Sequence, residues 1–221
     1  AGFSGVGLAA SVMGAMKKSK LILGALTVLA LSCQPGSKGD KLPVLGNPTT
    51  DNGVTKEHTI RPFTYFSQDS AVITNDSLAN GIYIADFFFT SCPSICPRVM
   101  KQMLRLHDEF KNVNGVRLVS FTLDPKRDSI GKLSVYAENI GVKSDKWLFL
   151  TGDKDFTLDL ADDYFVAALE DPSAPGGFDH SGKIILVDKK GRVRSFCEGT
   201  DPTTIPDFIK DVHALLNEED K

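Results

Sequence analysis

Cys92 and Cys96 stand with three residues between them in Phe89-Thr90-Ser91-Cys92-Pro93-Ser94-Ile95-Cys96-Pro97. An apolar run precedes them and a helically spaced one follows, so the thiols fall where a strand gives way to a helix. The first N–H groups of a helix lack partners within it and carry the positive end of its dipole, which favours thiolate over thiol. Residues four apart share a helix face, so these sulfurs can close a disulfide or grip one metal ion. Two thiolates alone leave most metals short of ligands. The third candidate is His180, in Gly176-Gly177-Phe178-Asp179-His180-Ser181-Gly182, read either as a loop histidine bonded to its neighbours or as an imidazole brought to the sulfurs. Two thiolates and one imidazole suit a soft ion such as Cu(I), whereas zinc wants a fourth ligand to close a structural site. Met100 and Met103 lie one turn beyond Cys96, where helix-spaced Met is expected to fill the core.

A strand before the thiols, a helix after them and a further strand beside His180 are the elements that must position this set. The apolar pattern supplies them. Ile82 to Phe89 reads as the strand, and Phe63 to Phe66 with Ala71 to Thr74 as a short hairpin before it. Val99, Met103, Leu106 and Phe110 mark the helix. Val116 to Leu123 follows as a buried strand, then a helix from about Ser129 to Asn139. Trp147 to Leu150 is another core strand and Asp155 to Phe165 another helix. Lys183 to Val187 and Val193 to Phe196 form a hairpin turning at Lys189-Lys190-Gly191, and a last helix runs from about Pro202 to Asn217.

This order predicts an α/β class, a thioredoxin-like fold with an N-terminal β-hairpin extension and an inserted helix. In such folds the residue entering the strand at Lys183 faces the redox motif and is ordinarily Pro. This chain has no Pro between Pro175 and Pro202, and His180 falls in that place.

Three segments together, Asp86 to Pro97, Leu123-Asp124-Pro125-Lys126-Arg127-Asp128, and Asp179-His180-Ser181, resemble the Sco/SenC copper proteins, which help to assemble the dinuclear copper centre of cytochrome c oxidase. The resemblance runs from about residue 58 to 217. It implies that Cys92, Cys96 and His180 are copper ligands and that Asp124 is an acidic residue near them. On local grounds Asp124-Pro125 is equally a turn and Asp128-Ser129 a helix cap. His58, His107 and His213 are expected on the surface or in packing. Cys197 departs from the family pattern, which has an aromatic residue there, and reads as a buried thiol.

The 221 residues, 42% hydrophobic and 24% charged, allow one ordinary core. A net charge of −3 with scattered Lys and Arg argues against a nucleic-acid surface. Residues 1–33 read as a lipoprotein-type export segment: Met16-Lys17-Lys18-Ser19-Lys20 is a basic start, Leu21 to Leu31 an apolar run too short to span a bilayer, and Cys33 the expected lipidation site. Ala30 stands where the usual signal has Leu, and residues 1–15 read as upstream sequence outside the native signal. Residues 34–57, rich in Gly, Pro and polar residues, read as a flexible tether, and 58–221 as the folded domain.

The expected function is a copper-binding metallochaperone, held at the membrane through Cys33 and facing the periplasm or the outer side of the cytoplasmic membrane. Its implied partners are the copper-bearing oxidase subunit, other copper carriers and thiol reductants. A thiol-disulfide oxidoreductase acting through Cys92 and Cys96 as a redox-active pair is the alternative. A thiol peroxidase would need an Arg beside its Cys, and Arg98 is the available one.

Overall fold

Short, almost wholly buried apolar runs form the core strands of this chain, and a computed structural model describes residues 41–51 and 53–219, all within one compact unit. Two short strands, β1 (Thr49–Asp51) and β2 (Val54–Lys56), pair as an exposed hairpin. β3 (Thr64–Ser67) and β4 (Val72–Thr74) form the next, and α1 (Asn75–Leu78) leads into β5 (Ile82–Phe88). β5 is buried along its whole length, as a run apolar but for Asp86 requires in a strand covered on both faces. α2 (Cys96–Phe110), β6 (Val116–Thr122), α3 (Ile130–Asn139), β7 (Trp147–Thr151) and α4 (Lys154–Asp163) follow. Next come β8 (Ala168–Glu170), β9 (Phe178–His180), β10 (Lys183–Val187), β11 (Val193–Glu198) and α5 (Ile205–Glu219).

Seven strands form one sheet in the order β11-β10-β5-β6-β7-β3-β4. β5, β6 and β7 run parallel, and β10 and β3 join them antiparallel. The unit β5-α2-β6 followed by β10-β11-α5 is the thioredoxin-like arrangement, with β7 and the β3–β4 hairpin added at one edge. α2 packs on β6 and β10, α3 on β7 and β3, and α5 on β11. The core is strongly aromatic, with Trp147 stacked on Phe149 and Phe87 stacked on Phe121.

The expected hairpin, core strands and helices of the domain all form, with ends shifted by up to three residues. Ser129 caps α3 by accepting from the Lys132 amide, so Asp128 is not the cap. β8 and β9 pair with each other in a separate two-stranded sheet, so His180 ends a strand rather than sitting in a loop.

The export segment 1–33, including Cys33, lies outside the described residues. Of the segment 34–57 expected as a tether, residues 41–51 and 53–57 are described, and Leu42 to Leu45 among them are held against the domain. The Leu45 amide donates to the Val193 carbonyl at 2.8 Å, Leu42 and Leu45 pack on the core, and Arg194 donates to the carbonyls of Leu42 and Pro43. Arg194 is almost fully buried and needs acceptors, which the two carbonyls and Glu218 supply. This strap lies at the pole where β5 begins, because β10 and β11 reverse direction twice from β5. Among the described residues no helix is long and apolar enough to cross a membrane.

Candidate metal centre

β5 ends at Phe88, and the chain turns through Thr90 and Ser91 before α2 opens at Cys96. Cys92 therefore lies in the turn ahead of the helix, and Cys96 is its first residue. Pro97, in the first turn, has no N–H to leave unpaired and is preset for helix. The Cys92 amide closes the turn on the Phe89 carbonyl at 3.2 Å. Burial pushes the Cys92 thiol up, but hydrogen bonds from the Cys96 thiol and the Ser94 and Cys96 backbone outweigh it, so Cys92 ends below the ordinary thiol value. Cys96 goes the other way: burial and the neighbouring Cys92 sulfur raise it well above the ordinary value. The two thiols are thus unequal, Cys92 the readier to ionise and Cys96 the more firmly protonated.

His180 arrives on β9. Its Nε2 lies 3.4 Å from Cys96 Sγ, while Nδ1 lies 3.2 Å from the Ser181 carbonyl. A carbonyl only accepts, so Nδ1 carries the proton and the Nε2 lone pair faces the sulfurs. Burial lowers the His180 pKa, against weaker upward pulls from Ser181 and Asp179, which keeps the ring neutral as a metal ligand requires. Cys92 Sγ, Cys96 Sγ and a His180 ring nitrogen all lie within 4.8 Å of one another, and all three residues are buried. Metal–thiolate bonds of about 2.3 Å, the zinc value, hold two sulfurs at most ~4.6 Å apart, so an ion needs little closure here. Two soft sulfurs and one imidazole with no carboxylate among them fit a soft cation better than a hard one.

Residues 124–128, just after β6, brace both halves of this cluster. Asp128, fully buried, accepts from the Thr90 amide and hydroxyl and from the Thr122 hydroxyl, fixing the turn that carries Cys92. Asp124 accepts from Arg127 Nη1 at 2.8 Å, and the same nitrogen donates to the Gly176 carbonyl at 3.0 Å, in the loop between β8 and β9. Phe89 packs its ring against Phe178 and His180.

Asp124, which the family resemblance puts near the site, thus meets the His180 loop through Arg127. Met100 and Met103 are buried in the core. Arg98 donates to the Thr200 carbonyl at 2.6 Å, and His58, His107 and His213 contact Phe165, Trp147 and Phe110 instead of the sulfurs. Cys197 lies on β11 opposite Ile184, where burial pushes its thiol up to about 12, offset in part by Thr204. Sequence reasoning missed Thr90, Arg127 and the structural use of Asp128. It also missed Asp86, which burial pushes up to about 7 against a hydrogen bond from Ser120 and whose Oδ2 has no partner among the described residues. A carboxylate inside the apolar run Ile82 to Phe89 was the available signal.

The SCO1/SenC family model matches residues 52–217. A SCO1 protein homolog of Bacillus subtilis is 33% identical over 155 residues, 69% of this chain and 80% of that protein. Two solved structures superpose well. One is BsSco, a member of the Sco family of cytochrome c oxidase assembly proteins in which a disulfide switch was identified, at 32% identity and TM-score 0.63, covering 72% of this chain and 93% of that one. The other is a SCO1/SenC family lipoprotein of Bacillus anthracis, at 25% identity and TM-score 0.66, covering 72% and 95%. A thioredoxin-like domain with a buried Cys-Cys-His cluster at the end of its central strand, matched by the family model over most of its length, belongs to the SCO1/SenC family.

Proposed function

We propose that this protein is a copper metallochaperone whose cargo is held by Cys92, Cys96 and His180 and passed to the copper-bearing subunit of cytochrome c oxidase. The observation that carries this reading is the convergence of both sulfurs with the lone pair of His180. Copper entry takes both sulfurs as thiolates, with the thiol protons they still carry released to solvent, and takes the Nε2 lone pair with no proton change. Oxidation removes two electrons and two protons from the thiols and leaves a disulfide without thiolate charge, so redox state gates loading. The Bacillus relatives support the setting: one is a lipoprotein and one belongs to a family of oxidase assembly proteins. By analogy Cys33 tethers this chain to the outer side of the membrane, and loss of Cys33→Ser from the membrane fraction checks that tether.

The unequal thiols favour a second reading, a thiol-disulfide oxidoreductase. Cys92 thiolate would attack a target disulfide and release one target thiolate; Cys96 would then close Cys92–Cys96 and release the other. One experiment separates the two. The reduced full chain is expected to bind one copper and its Cys92–Cys96 disulfide form essentially none. His180→Ala is expected to lose copper while keeping disulfide exchange. Equal copper binding by both redox forms sinks the site; full oxidase assembly in cells carrying His180→Ala leaves the oxidoreductase standing.

A further inference from the structure

His180 reaches the sulfurs on a hairpin that the main sheet does not hold. β8 and β9 hydrogen-bond only to each other as a ladder, and the Ser181 amide returns to Ala167 within the same excursion. The loop between them is closed on itself. Asp171 Oδ1 accepts from the Ser173 amide and hydroxyl, the Asp171 amide donates to Gly177, and the Gly177 amide donates to Ala174. Gly176 and Gly177 both have φ near +90°, a region side chains avoid, so the loop's path depends on them. A Cβ on Gly176 would come within 2.6 Å of the Phe89 ring, so backbone and ring are in close contact there.

Among the described residues, the hydrogen bond that leaves loop 171–177 for the rest of the domain comes from Arg127 Nη1 to the Gly176 carbonyl. That nitrogen also binds Asp124 Oδ2, and Asp124 is buried and fixed through its backbone to Arg127 and Asp128. Asp128 in turn holds Thr90. One short segment thus ties the cysteine turn at one end and the histidine loop at the other.

We propose that Arg127 is a positioning residue: by pinning the Gly176 carbonyl beside the cysteine turn, it sets whether His180 reaches the two sulfurs. Its side chain is 58% exposed, so it contributes little to the core and is free to act as a latch. Without it, the hairpin keeps its own ladder and ring contacts and the thiols keep their turn, but the imidazole loses its fixed distance from them. Residues that orient a metal ligand ordinarily change affinity by about 10–100-fold.

The inference rests on the copper site proposed above, and the test separates the two. Cu(I) affinity of the reduced full chain is measured by competition with a chromophoric chelator for the wild type, Arg127→Ala, Arg127→Lys, His180→Ala and the Arg127→Ala/His180→Ala double variant. Urea unfolding of the metal-free proteins and the rate of disulfide exchange are read alongside. Arg127→Ala is expected to weaken Cu(I) binding about ten-fold while leaving exchange and the unfolding midpoint close to wild type. Arg127→Lys, which keeps one charged nitrogen able to bridge both oxygens, should restore most of the loss. The double variant should bind no more weakly than His180→Ala, because a residue that acts through His180 has nothing left to position. Unchanged affinity in Arg127→Ala, or losses that add in the double variant, overturns the latch and leaves the copper site intact. Unchanged affinity in His180→Ala overturns both.

Discussion

Cys92 and Cys96 are the same residue in the same cluster, yet their surroundings pull them apart. The backbone of Ser94 and Cys96 turns toward the Cys92 sulfur, whereas Cys96 lies deeper and beside that negative sulfur. At a fixed pH a lowered thiol carries more thiolate and a raised one less, and each unit is a factor of ten in that ratio. Brief alkylation of the reduced chain near neutral pH should therefore mark Cys92 at least about ten-fold faster than Cys96. Cys197, buried and pushed up to about 12, should likewise lag far behind Cys92. Peptide mass spectrometry over a time course reads the order, and equal rates at Cys92 and Cys96 would contradict the asymmetry. Asp86 adds to it from beneath, since its charge raises Cys96 further.

Between residues and fold, the turn after β5 is kept in shape by Asp128, whose carboxylate takes three hydrogen bonds from Thr90 and Thr122 with no exposure to water. Asp128→Ala leaves those donors buried and unpaired, and hydrogen bonds to a charged group contribute about 1.5–3 kcal/mol each. The expected loss is roughly 3 kcal/mol, seen as a lower urea midpoint at unchanged slope. A midpoint shift under about 1 kcal/mol would mean the turn holds itself. The sequence disclosed the long elements because their patterns are strong: β5 is apolar but for Asp86, and α2 repeats Val99, Met103, Leu106 and Phe110 on one face. The cysteine pair was equally legible from its spacing. The β8–β9 hairpin was not, since Ala168–Glu170 and Phe178–His180 are too short for a pattern and are paired only through a loop shaped by Gly176 and Gly177. His180 could be nominated from its place in the fold, but not the strand that delivers it. The pair Asp128-Ser129 read as a helix cap, and Ser129 takes that place; only the structure shows the Asp128 carboxylate turned inward.

Across the whole molecule, the pole remote from the cysteines is closed by charge. Burial opposes ionisation of Asp188, yet the Arg192 guanidinium, the Arg192 and Lys190 amides and Arg194 Nη1 all donate to it, and its pKa falls below the ordinary carboxylate value. A carboxyl with a lower pKa folded than unfolded stabilises fully above the unfolded value of about 4, and that stability is lost as pH falls through the folded value. Asp188→Asn should thus cost about 3 kcal/mol at pH 7, because it leaves buried guanidinium groups short of charge, and much less near pH 3. Urea midpoints at the two pH values test this; an equal loss at both would show that Asp188 acts by shape alone. Arg194 carries the network outward to Glu218 and to the carbonyls of Leu42 and Pro43, so the strap is fastened by a buried cation rather than by apolar contact alone. That fastening gives the molecule a compass. Leu42 and Pro43 sit at the end where β5 begins, while the cysteines crown the other end, separated by a seven-residue strand of about 23 Å at the usual rise. A pull on the chain at Leu42 is taken up by Arg194 and the β11 edge before it reaches the cluster. The Cys-Cys-His cluster lies at the opposite end of the sheet, so the strap and the three candidate ligands never compete for the same face.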